Sequence, residues 1–263
     1  METLLADLQR HFVTLRGLAS RIDHTNLALD ATEYEICLLC AQAKHYGFAS
    51  VCVRLEWVPL VAELLRGSMV RVCTVISFHR GRNSIKEKIT EARTAIARGA
   101  QDIDWVFGYE NVPECYGKDP KTIVHLEVEA IGTLAREFPN IVFKVVVECC
   151  ALTFMQNVWI CELLLRERTI QFIKTSTGSG EALLKNGPTG ATVEDMGAFA
   201  RMIANFSSPM RINASGDIRT LRALVRLSDA GGVCLTRFGI SHECAVAIMM
   251  AALDVGLPDQ QDR

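Results

Sequence analysis

The chain has 263 residues, of which 49% are hydrophobic, and its formal net charge is −2. This length suits one large α/β barrel or two smaller domains, and the apolar fraction is sufficient for a sizeable core. Because the sequence has no basic excess and no polybasic segment, it points to neither a nucleic-acid partner nor an anionic membrane. The longest apolar stretch, AVAIMMAAL near residue 250, is too short to cross a bilayer.

Residues 1–19 are predicted to form one extra helix before the first strand. Glu2 and Asp7 interrupt the apolar residues, and the segment lacks the continuous apolar core and small-residue cleavage site of a signal peptide. An amphipathic helix fits this pattern better. We therefore expect a cytoplasmic protein.

Ten cysteines are spread along the chain, many of them inside apolar runs, where cysteine behaves as a small hydrophobe. This usage is not that of a secreted disulfide scaffold, so reduced thiols are expected. CLLC at residues 37–40 has zinc-ligand spacing, but no second pair or histidine cluster completes a site. HEC at residues 242–244 lacks the second histidine of a helical zinc motif, and no metal site is predicted.

Eight short β-branched runs recur at nearly even intervals and alternate with helix-like segments. Ser84 as N-cap, Glu87 three residues later and Gly99 at the end mark one of these helices. Eight strands alternating with helices in about 250 residues predict a (β/α)8 TIM barrel, with a doubly wound open sheet as the alternative. The runs are residues 20–27, 48–53, 71–78, 102–109, 141–149, 170–177, 210–217 and 231–239.

No long linker, low-complexity tract or shift in composition divides the chain. Residues 1–263 are therefore predicted to form a single domain, with residues 256–263 as a polar C-terminal tail. In a barrel of this kind, chemistry takes place at the C-terminal ends of the strands. Alternation along the strands predicts three sets of side chains that share a face: Phe172, Lys174 and Ser176; Lys144, Val146 and Glu148; Arg211, Asn213 and Ser215.

The sixth run places Lys174 in FIKTSTGSG, an apolar strand followed directly by a glycine-rich turn. A buried ammonium is costly unless it is paired or has lost its proton. A neutral lysine amine can form a Schiff base with a carbonyl substrate. The alternative is a strand-end lysine whose ammonium extends to solvent.

Five motifs cover the chain in order from about residue 20 to residue 245: IDHTNL, DIDWVFGY, FIKTSTG, GATVEDM and ASGDIRT…RFGIS. Together they resemble the deoxyribose-phosphate aldolase family. The resemblance implies a class I aldolase, a lyase, on a (β/α)8 barrel that uses no metal or other cofactor. It also implies reversible cleavage of 2-deoxy-D-ribose 5-phosphate to D-glyceraldehyde 3-phosphate and acetaldehyde, and a homodimer.

The same resemblance assigns roles to individual residues. Lys174 matches the Schiff-base lysine, Asp104 the aspartate that moves protons through water, and Lys144 an inward-facing lysine on the fifth strand. The implied substrate-binding residues are Asp23, Thr25, Cys52, Thr175 and Ser215, with core filling as the alternative for Cys52. Phosphate is expected at backbone N–H groups of turns and a helix N-terminus, at Gly178, Ser179, Gly216, Asp217, Gly239 and Ser241.

One departure from the family pattern concerns the charge beside Lys174. Asn213 stands where the family has a second active-site lysine, which depresses the pKa of the Schiff-base lysine. Two unit charges about 5 Å apart repel by roughly 3 kcal/mol at an effective dielectric near 20, which is about two pKa units. The sequence therefore predicts a raised Lys174 pKa unless another cation compensates. The candidates are Lys144 and Arg211, although Glu148 could neutralise the latter.

Two further departures concern the phosphate pocket. Ser179 stands where the family often has a lysine, and Asp217 replaces the second glycine of a pair. Both changes predict a pocket that disfavours a phosphorylated substrate. Two alternatives to the aldolase interpretation follow: an aldolase for an unphosphorylated aldehyde, and a relative with weakened or lost activity that binds a metabolite as a pseudoenzyme.

Overall fold

The structure is a computed structural model, and it describes residues 2–113, 123–179 and 189–259. Within these ranges eight parallel strands form a closed barrel in sequence order, and β1 closes it by pairing with β8. The predicted (β/α)8 barrel is confirmed, and the open-sheet alternative is wrong. The strands are β1 Ile22–Asn26, β2 Ser50–Val53, β3 Arg71–Ile76, β4 Asp102–Val106, β5 Val142–Val146, β6 Phe172–Lys174, β7 Arg211–Ser215 and β8 Leu235–Ser241.

Helices surround the barrel, and several begin at a capping box. In the predicted example, Ser84 Oγ accepts a hydrogen bond from Glu87 N at 3.3 Å, and Glu87 Oε2 accepts one from Ser84 N at 2.8 Å. These bonds satisfy N–H groups that a helix start leaves unpaired. The helices are α1 Glu2–Gln9, α2 Leu15–Ala19, α3 Glu33–Tyr46, α4 Val58–Leu64, α5 Ile85–Ala97, α6 Ile123–Glu137, α7 Phe154–Arg166, α8 Val193–Asn205, α9 Leu221–Gly231 and α10 His242–Asp254.

The two sides of the barrel wall differ in chemistry. Branched aliphatic side chains such as Val51, Ile103 and Val145 are fully buried in the apolar core that also contains the helices. The alternate positions put charged and amide side chains into the barrel interior, where Asp104, Lys144 and others are also fully buried. Because successive residues of a strand face opposite sides, one sequence supplies both surfaces. The interior set forms the site described below.

The N-terminal segment differs from the prediction of one helix over residues 1–19. Helix α1 ends at Gln9, and α2 begins at Leu15. Thr14 interrupts the helix because its backbone is extended and its Oγ1 accepts a hydrogen bond from Gly17 N at 3.0 Å, which caps α2. The break therefore comes from a local N-cap.

The predicted polar tail is packed against this N-terminal segment where it is described. Leu257 is buried, and Leu15 N donates a hydrogen bond to Pro258 O at 2.7 Å. Residues 260–263 of the predicted tail lie outside the described residues. Strand β8 also begins later than predicted, at Leu235, because Gly232–Cys234 form a 3-10 turn. In the described part of the chain, no helix combines the length and apolarity that a membrane span requires.

Candidate active site

Lys174 is the last residue of β6, and its ammonium contacts the Asp104 carboxylate of β4. Lys174 Nζ lies 2.5 Å from Asp104 Oδ2, and the Lys174 side chain is 8% exposed. Gly239 leaves room for this lysine, since a Cβ at that position would lie only 3.2 Å from Lys174 Nζ. The alternative in which the Lys174 ammonium extends to solvent is therefore wrong. The lysine is paired at the floor of a cavity.

Lys144 of β5 lies at the centre of the barrel interior and contacts three aspartates. Its Nζ is 3.0 Å from Asp23 Oδ2, 3.2 Å from Asp102 Oδ2 and 3.1 Å from Asp104 Oδ1. The last contact is an ion pair without hydrogen-bond geometry. Asp104 thus has one oxygen facing Lys144 and the other facing Lys174. The lysine is fully buried, and these carboxylates raise its pKa well above the ordinary value against the opposing effect of burial.

Two arginines complete the charge cluster, and the sequence interpretation assigned a role to neither. Arg237 Nη1 lies 2.6 Å from Asp23 Oδ1, and Arg71 Nε lies 2.5 Å from Asp102 Oδ1. The cluster, as formed by described residues, therefore contains four cationic side chains, two lysines and two arginines, against three carboxylates. The motif RFGIS contains Arg237 but does not indicate its partner Asp23, and the structure pairs its strand position with Asn213.

Asp23 has its contacts inside this cluster rather than in the cavity. Asn213 Nδ2 donates to Asp23 Oδ2 at 2.7 Å, and Ser50 Oγ donates to Asp23 Oδ1 at 2.6 Å. Burial opposes ionisation of this carboxyl, but Lys144 and Arg237 outweigh it and hold the Asp23 pKa below its ordinary value. The predicted direct contact between Asp23 and substrate does not fit this placement, because the carboxylate is fully buried among protein partners. Asp23 instead holds the amide of Asn213 in position.

The charges around Lys174 favour its protonated form. Burial lowers the pKa of Lys174, but the Asp104 carboxylate raises it, and the net pKa lies above the ordinary value. Lys144 acts in the opposite direction, as the sequence predicted for a compensating cation, but it does not reverse the shift. For Asp104, burial raises the pKa, and the two lysines outweigh this effect and lower it. The resting state is therefore an ammonium–carboxylate pair.

Arg211 and Glu148 are not part of the charge cluster, in contrast to the prediction. Arg211 is exposed at the start of β7, where its Nη1 donates to Pro209 O at 2.9 Å. Alternation places Arg211 on the same side of the strand as Asn213, but Arg211 lies at the opposite end of the barrel from the cavity. Glu148 Oε2 accepts a hydrogen bond from Thr177 N at 3.0 Å, so this carboxylate fixes the turn after β6.

A cavity of about 650 Å³ opens above Lys174 between the turns after β6, β7 and β8. Close backbone contact shapes it, since a Cβ on Gly190 would lie 2.0 Å from Gly216 O. Thr25 and Ser215 from the predicted substrate set also line the cavity. All six residues predicted for phosphate are brought together there: Gly178, Ser179, Gly216, Asp217, Gly239 and Ser241.

Asp217 does not present an isolated carboxylate to this cavity. Arg219, which also lines the cavity, places its Nε 2.5 Å from Asp217 Oδ1. Asp217 adopts a positive φ of 56°, a conformation that glycine favours. The sequence interpretation missed Arg219, although it lies two residues from Asp217 in ASGDIRT. The pair is electrically neutral at the mouth of the cavity.

Thr175 and Cys52, both predicted to contact substrate, are buried behind the cavity lining formed by the described residues. Thr175 Oγ1 donates to Ser215 O and accepts from Ser215 N, both at 2.9 Å, so it joins the ends of β6 and β7. Thr175 therefore positions Ser215 and does not contact the substrate, because both hydrogen bonds of its hydroxyl go to the backbone of Ser215. Cys52 packs in a small cluster with Cys73 and Val75, which fits the alternative of core filling.

Comparison with known proteins identifies the family. No protein-family model matches the chain. A deoxyribose-phosphate aldolase of Thermoanaerobacter pseudethanolicus is 38% identical over 232 residues, covering 88% of this chain and 96% of the relative. The corresponding aldolase of Listeria monocytogenes is 36% identical over 229 residues, covering 87% and 94% of the two chains.

Solved structures give the same result. A Coccidioides immitis protein assigned as a deoxyribose-phosphate aldolase superposes with a TM-score of 0.78 at 30% identity, covering 96% of each chain. The tetrameric deoxyribose phosphate aldolase of Aeropyrum pernix superposes with a TM-score of 0.77 at 24% identity, covering 97% of this chain and 98% of the other, and shows the shared fold. The chain belongs to the deoxyribose-phosphate aldolase family.

Proposed function

We propose that the protein is a class I aldolase that interconverts 2-deoxy-D-ribose 5-phosphate with D-glyceraldehyde 3-phosphate and acetaldehyde through a Schiff base on Lys174. The observation that carries this proposal is the Lys174–Asp104 pair, in which the amine lines the floor of a cavity and the fully buried carboxylate lies in contact with it. A lysine nucleophile needs an adjacent group that can take its proton, and Asp104 Oδ2 is in hydrogen-bond contact with it.

The first steps form the covalent intermediate. Asp104 accepts a proton from Lys174, and the neutral amine attacks the aldehyde carbon of the open-chain sugar, so that a C–N bond forms and the carbonyl oxygen takes a proton. The carbinolamine hydroxyl takes the proton back from Asp104 and leaves as water, which gives the iminium and restores the Asp104 carboxylate. Lys144 stays charged against the other oxygen of Asp104 throughout, which keeps the aspartate acidic enough to return the proton.

Carbon–carbon cleavage follows from the iminium. Removal of the proton from the C3 hydroxyl, through water to Asp104, turns C3 into an aldehyde and releases the C2–C3 electron pair into the iminium. The products are glyceraldehyde 3-phosphate and an enamine. Protonation of the enamine and hydrolysis of the resulting iminium release acetaldehyde and regenerate Lys174. No step requires a metal or another cofactor.

The phosphate group is proposed to lie at the mouth of the cavity. Backbone N–H groups at the glycine turns and the N-terminus of α10, where Ser241 is the N-cap, can hold an anion. Arg219 supports the assignment because its side chain neutralises Asp217, the residue that by sequence alone disfavours phosphate. This proposal therefore favours the phosphorylated sugar over the unphosphorylated alternative.

Borohydride trapping tests the proposal directly. Acetaldehyde with borohydride should add a reduced ethyl group to the wild-type protein, and Lys174→Ala should abolish both this mass increase and retro-aldol turnover. Lys86→Ala, at a lysine on the surface helix α5, is the matched control and should behave as wild type. Undiminished trapping in Lys174→Ala would refute the assignment. Turnover of deoxyribose 5-phosphate against free deoxyribose then measures the contribution of the phosphate site.

Assembly and location are also proposals. A homo-oligomer, as a dimer, is consistent with family membership, and one neighbour of the same fold is a tetramer. Light scattering on the purified protein would measure the mass of the assembly, and a monomer at micromolar concentration would contradict this proposal. A cytoplasmic location is consistent with cysteines that are all unpaired in the described ranges.

A further inference from the structure

Two cysteines and an aspartate form a compact group in the barrel interior. Cys52 of β2 and Cys73 of β3 are register partners on neighbouring strands, and Asp104 lies on the next strand, β4. The two Sγ atoms and a carboxylate oxygen lie within 4.8 Å of one another, and all three residues are fully buried. We call this group the thiol–aspartate cluster. Asp104 Oδ1, which contacts Lys144 as an ion pair, receives no hydrogen bond from any described residue.

We propose that the thiol–aspartate cluster binds a soft divalent cation such as Zn²⁺ or Cd²⁺, and that the bound ion inhibits the enzyme. The binding site stands on the geometry alone, whereas the inhibition rests on the proposed function of Asp104. The ion is an inhibitor and has no part in the aldolase chemistry.

The separations suit one shared ion. Zn²⁺ binds sulfur at about 2.3 Å and carboxylate oxygen at about 2.0–2.2 Å in a tetrahedron, so its ligand atoms lie roughly 3.5–4 Å apart. The ligand atoms lie within 4.8 Å of one another, so they must approach by about 1 Å to share one ion. Two register partners on adjacent strands offer two sulfurs side by side, which is the ligand type that selects such ions.

The charge balance is also favourable. Lys144 Nζ lies 3.6 Å from the Cys73 sulfur. When a divalent ion binds, the two thiols lose their protons to solvent, so a charge of +2 enters the cluster and a charge of +2 leaves it. The net charge facing Lys144 and Lys174 is therefore unchanged. An ion that binds only carboxylates would instead add its full charge beside these ammonium groups.

The surrounding residues restrict the choice of ion. Leu27, Val75 and Phe78 pack against the two cysteines and supply no side-chain oxygen ligands. Mg²⁺ and Ca²⁺ require six or more oxygen ligands, so the cluster disfavours them. Inhibition follows because a cation bound to the Asp104 carboxylate lowers its basicity, so that it accepts the proton of Lys174 less readily.

Binding is measured first without reference to activity. The purified protein, kept reduced, is titrated with Co²⁺, whose thiolate complexes absorb in the near ultraviolet, and Zn²⁺ or Cd²⁺ is then added to displace it. Wild type should show one thiolate-bound Co²⁺ per chain. Cys73→Ser and Cys73→Ala should each weaken binding by about 100-fold or more, because one of two soft ligands is lost.

The matched control is Cys40→Ala, at a buried cysteine of the CLLC segment on α3. This variant should bind Co²⁺ as wild type does. Zn²⁺ should inhibit retro-aldol turnover of wild type and Cys40→Ala, and a chelator should restore it. In the Cys73 variants, each compared with its own uninhibited rate, the Zn²⁺ concentration for half inhibition should rise by the same factor of about 100.

The outcomes separate the two proposals. Absence of thiolate-bound Co²⁺ in folded wild type, or loss of the signal in Cys40→Ala but not in the Cys73 variants, would overturn the metal site. Equal Zn²⁺ inhibition of wild type and the Cys73 variants would overturn its inhibitory role. If the wild type shows no aldolase turnover but retains the Cys73-dependent Co²⁺ signal, the proposed function fails while the metal site stands.

Discussion

The floor and the mouth of the cavity are built by different means. At the floor, Lys144, Lys174 and Asp104 are fixed by strand register, and their charges face each other with at most 8% side-chain exposure. At the mouth, glycine turns provide the surface, and the charged pair is Asp217–Arg219, with side chains 48% and 75% exposed. Electrostatic interactions are strong at the floor and screened at the mouth. The difference implies that charge changes at the floor should alter both folding and catalysis, whereas those at the mouth should adjust substrate preference.

The largest effect is expected from Lys144→Met. This change leaves three aspartates without their shared cation, and removal of one partner from a buried ion pair costs about 3–5 kcal/mol of the free energy of unfolding. Urea denaturation measures the loss. Lys44→Met on the exposed side of α3 is the control and should change stability by less than about 0.5 kcal/mol. Equal stability of the two variants would show that the floor is not electrostatically coupled to folding.

Asn213→Lys tests how the floor sets the charge state of Lys174. In the wild type the Lys174 pKa is raised, so the reactive amine is the minor form at neutral pH and turnover should climb as pH increases toward that pKa. A second ammonium beside Lys174 should lower its pKa and raise the neutral rate about ten- to a hundredfold.

The control for this change is Asn213→Met. Methionine is close to lysine in length but carries no charge, so this variant should give no gain in the rate at neutral pH. The measurement is the retro-aldol rate of each variant across pH. A flat wild-type profile between about pH 6 and 9, together with no gain from Asn213→Lys, would contradict the prediction.

Thr175→Val tests the hydrogen bonds that join the end of β6 to Ser215, between the floor and the mouth of the cavity. The variant leaves the backbone N–H and C=O of Ser215 without their hydroxyl partner in a buried position, which costs about 1–3 kcal/mol. Because Ser215 lines the cavity and Thr175 does not, the KM should rise with a smaller change in kcat. Thr90→Val, at an exposed helical threonine, should leave both parameters unchanged. A large kcat loss with unaltered KM would assign Thr175 to the chemistry instead.

Asp217→Gly is the mildest change and acts at the mouth. It removes a carboxylate, frees Arg219 and relieves a left-handed backbone that costs a residue other than glycine about 1 kcal/mol. The KM for deoxyribose 5-phosphate should fall severalfold, while that for free deoxyribose stays the same. An equal change for both sugars would show that the effect does not involve the phosphate. Arg219→Gln should move the KM for the phosphorylated sugar in the opposite direction.

The sequence predicted the barrel, the charged interior and the grouping of the phosphate-pocket residues, because alternation and strand order determine which side chains meet. Lys174, Asp104 and Lys144 were found in this way and by resemblance. Arg237 was missed because its partner Asp23 becomes a neighbour only when β8 closes onto β1. That contact joins two residues 214 positions apart, so no local sequence pattern indicates it.

Other differences arise from depth along a strand, which alternation does not give. Arg211 faces the same side of its strand as Asn213, but it lies at the exposed start of β7. Thr175 was assigned to the substrate by the resemblance alone, whereas alternation places it on the opposite face from Lys174, and the structure puts it just beyond the end of β6. Its hydroxyl bonds to the backbone of the next strand instead. Side-chain direction beyond a strand end is set by the local turn and by tertiary contacts.

The two carboxylate oxygens of Asp104 contact different lysines, and this arrangement has a consequence for isotope exchange. With Oδ1 held by Lys144, the proton that leaves Lys174 has Oδ2 as its only nearby acceptor among the described residues. One oxygen thus serves successive transfers, and between them it can exchange with the water that enters the cavity. In deuterated solvent, the acetaldehyde released by retro-aldol cleavage should carry deuterium on its methyl carbon, and the extent of labelling would report whether that oxygen exchanges faster than the enamine is protonated.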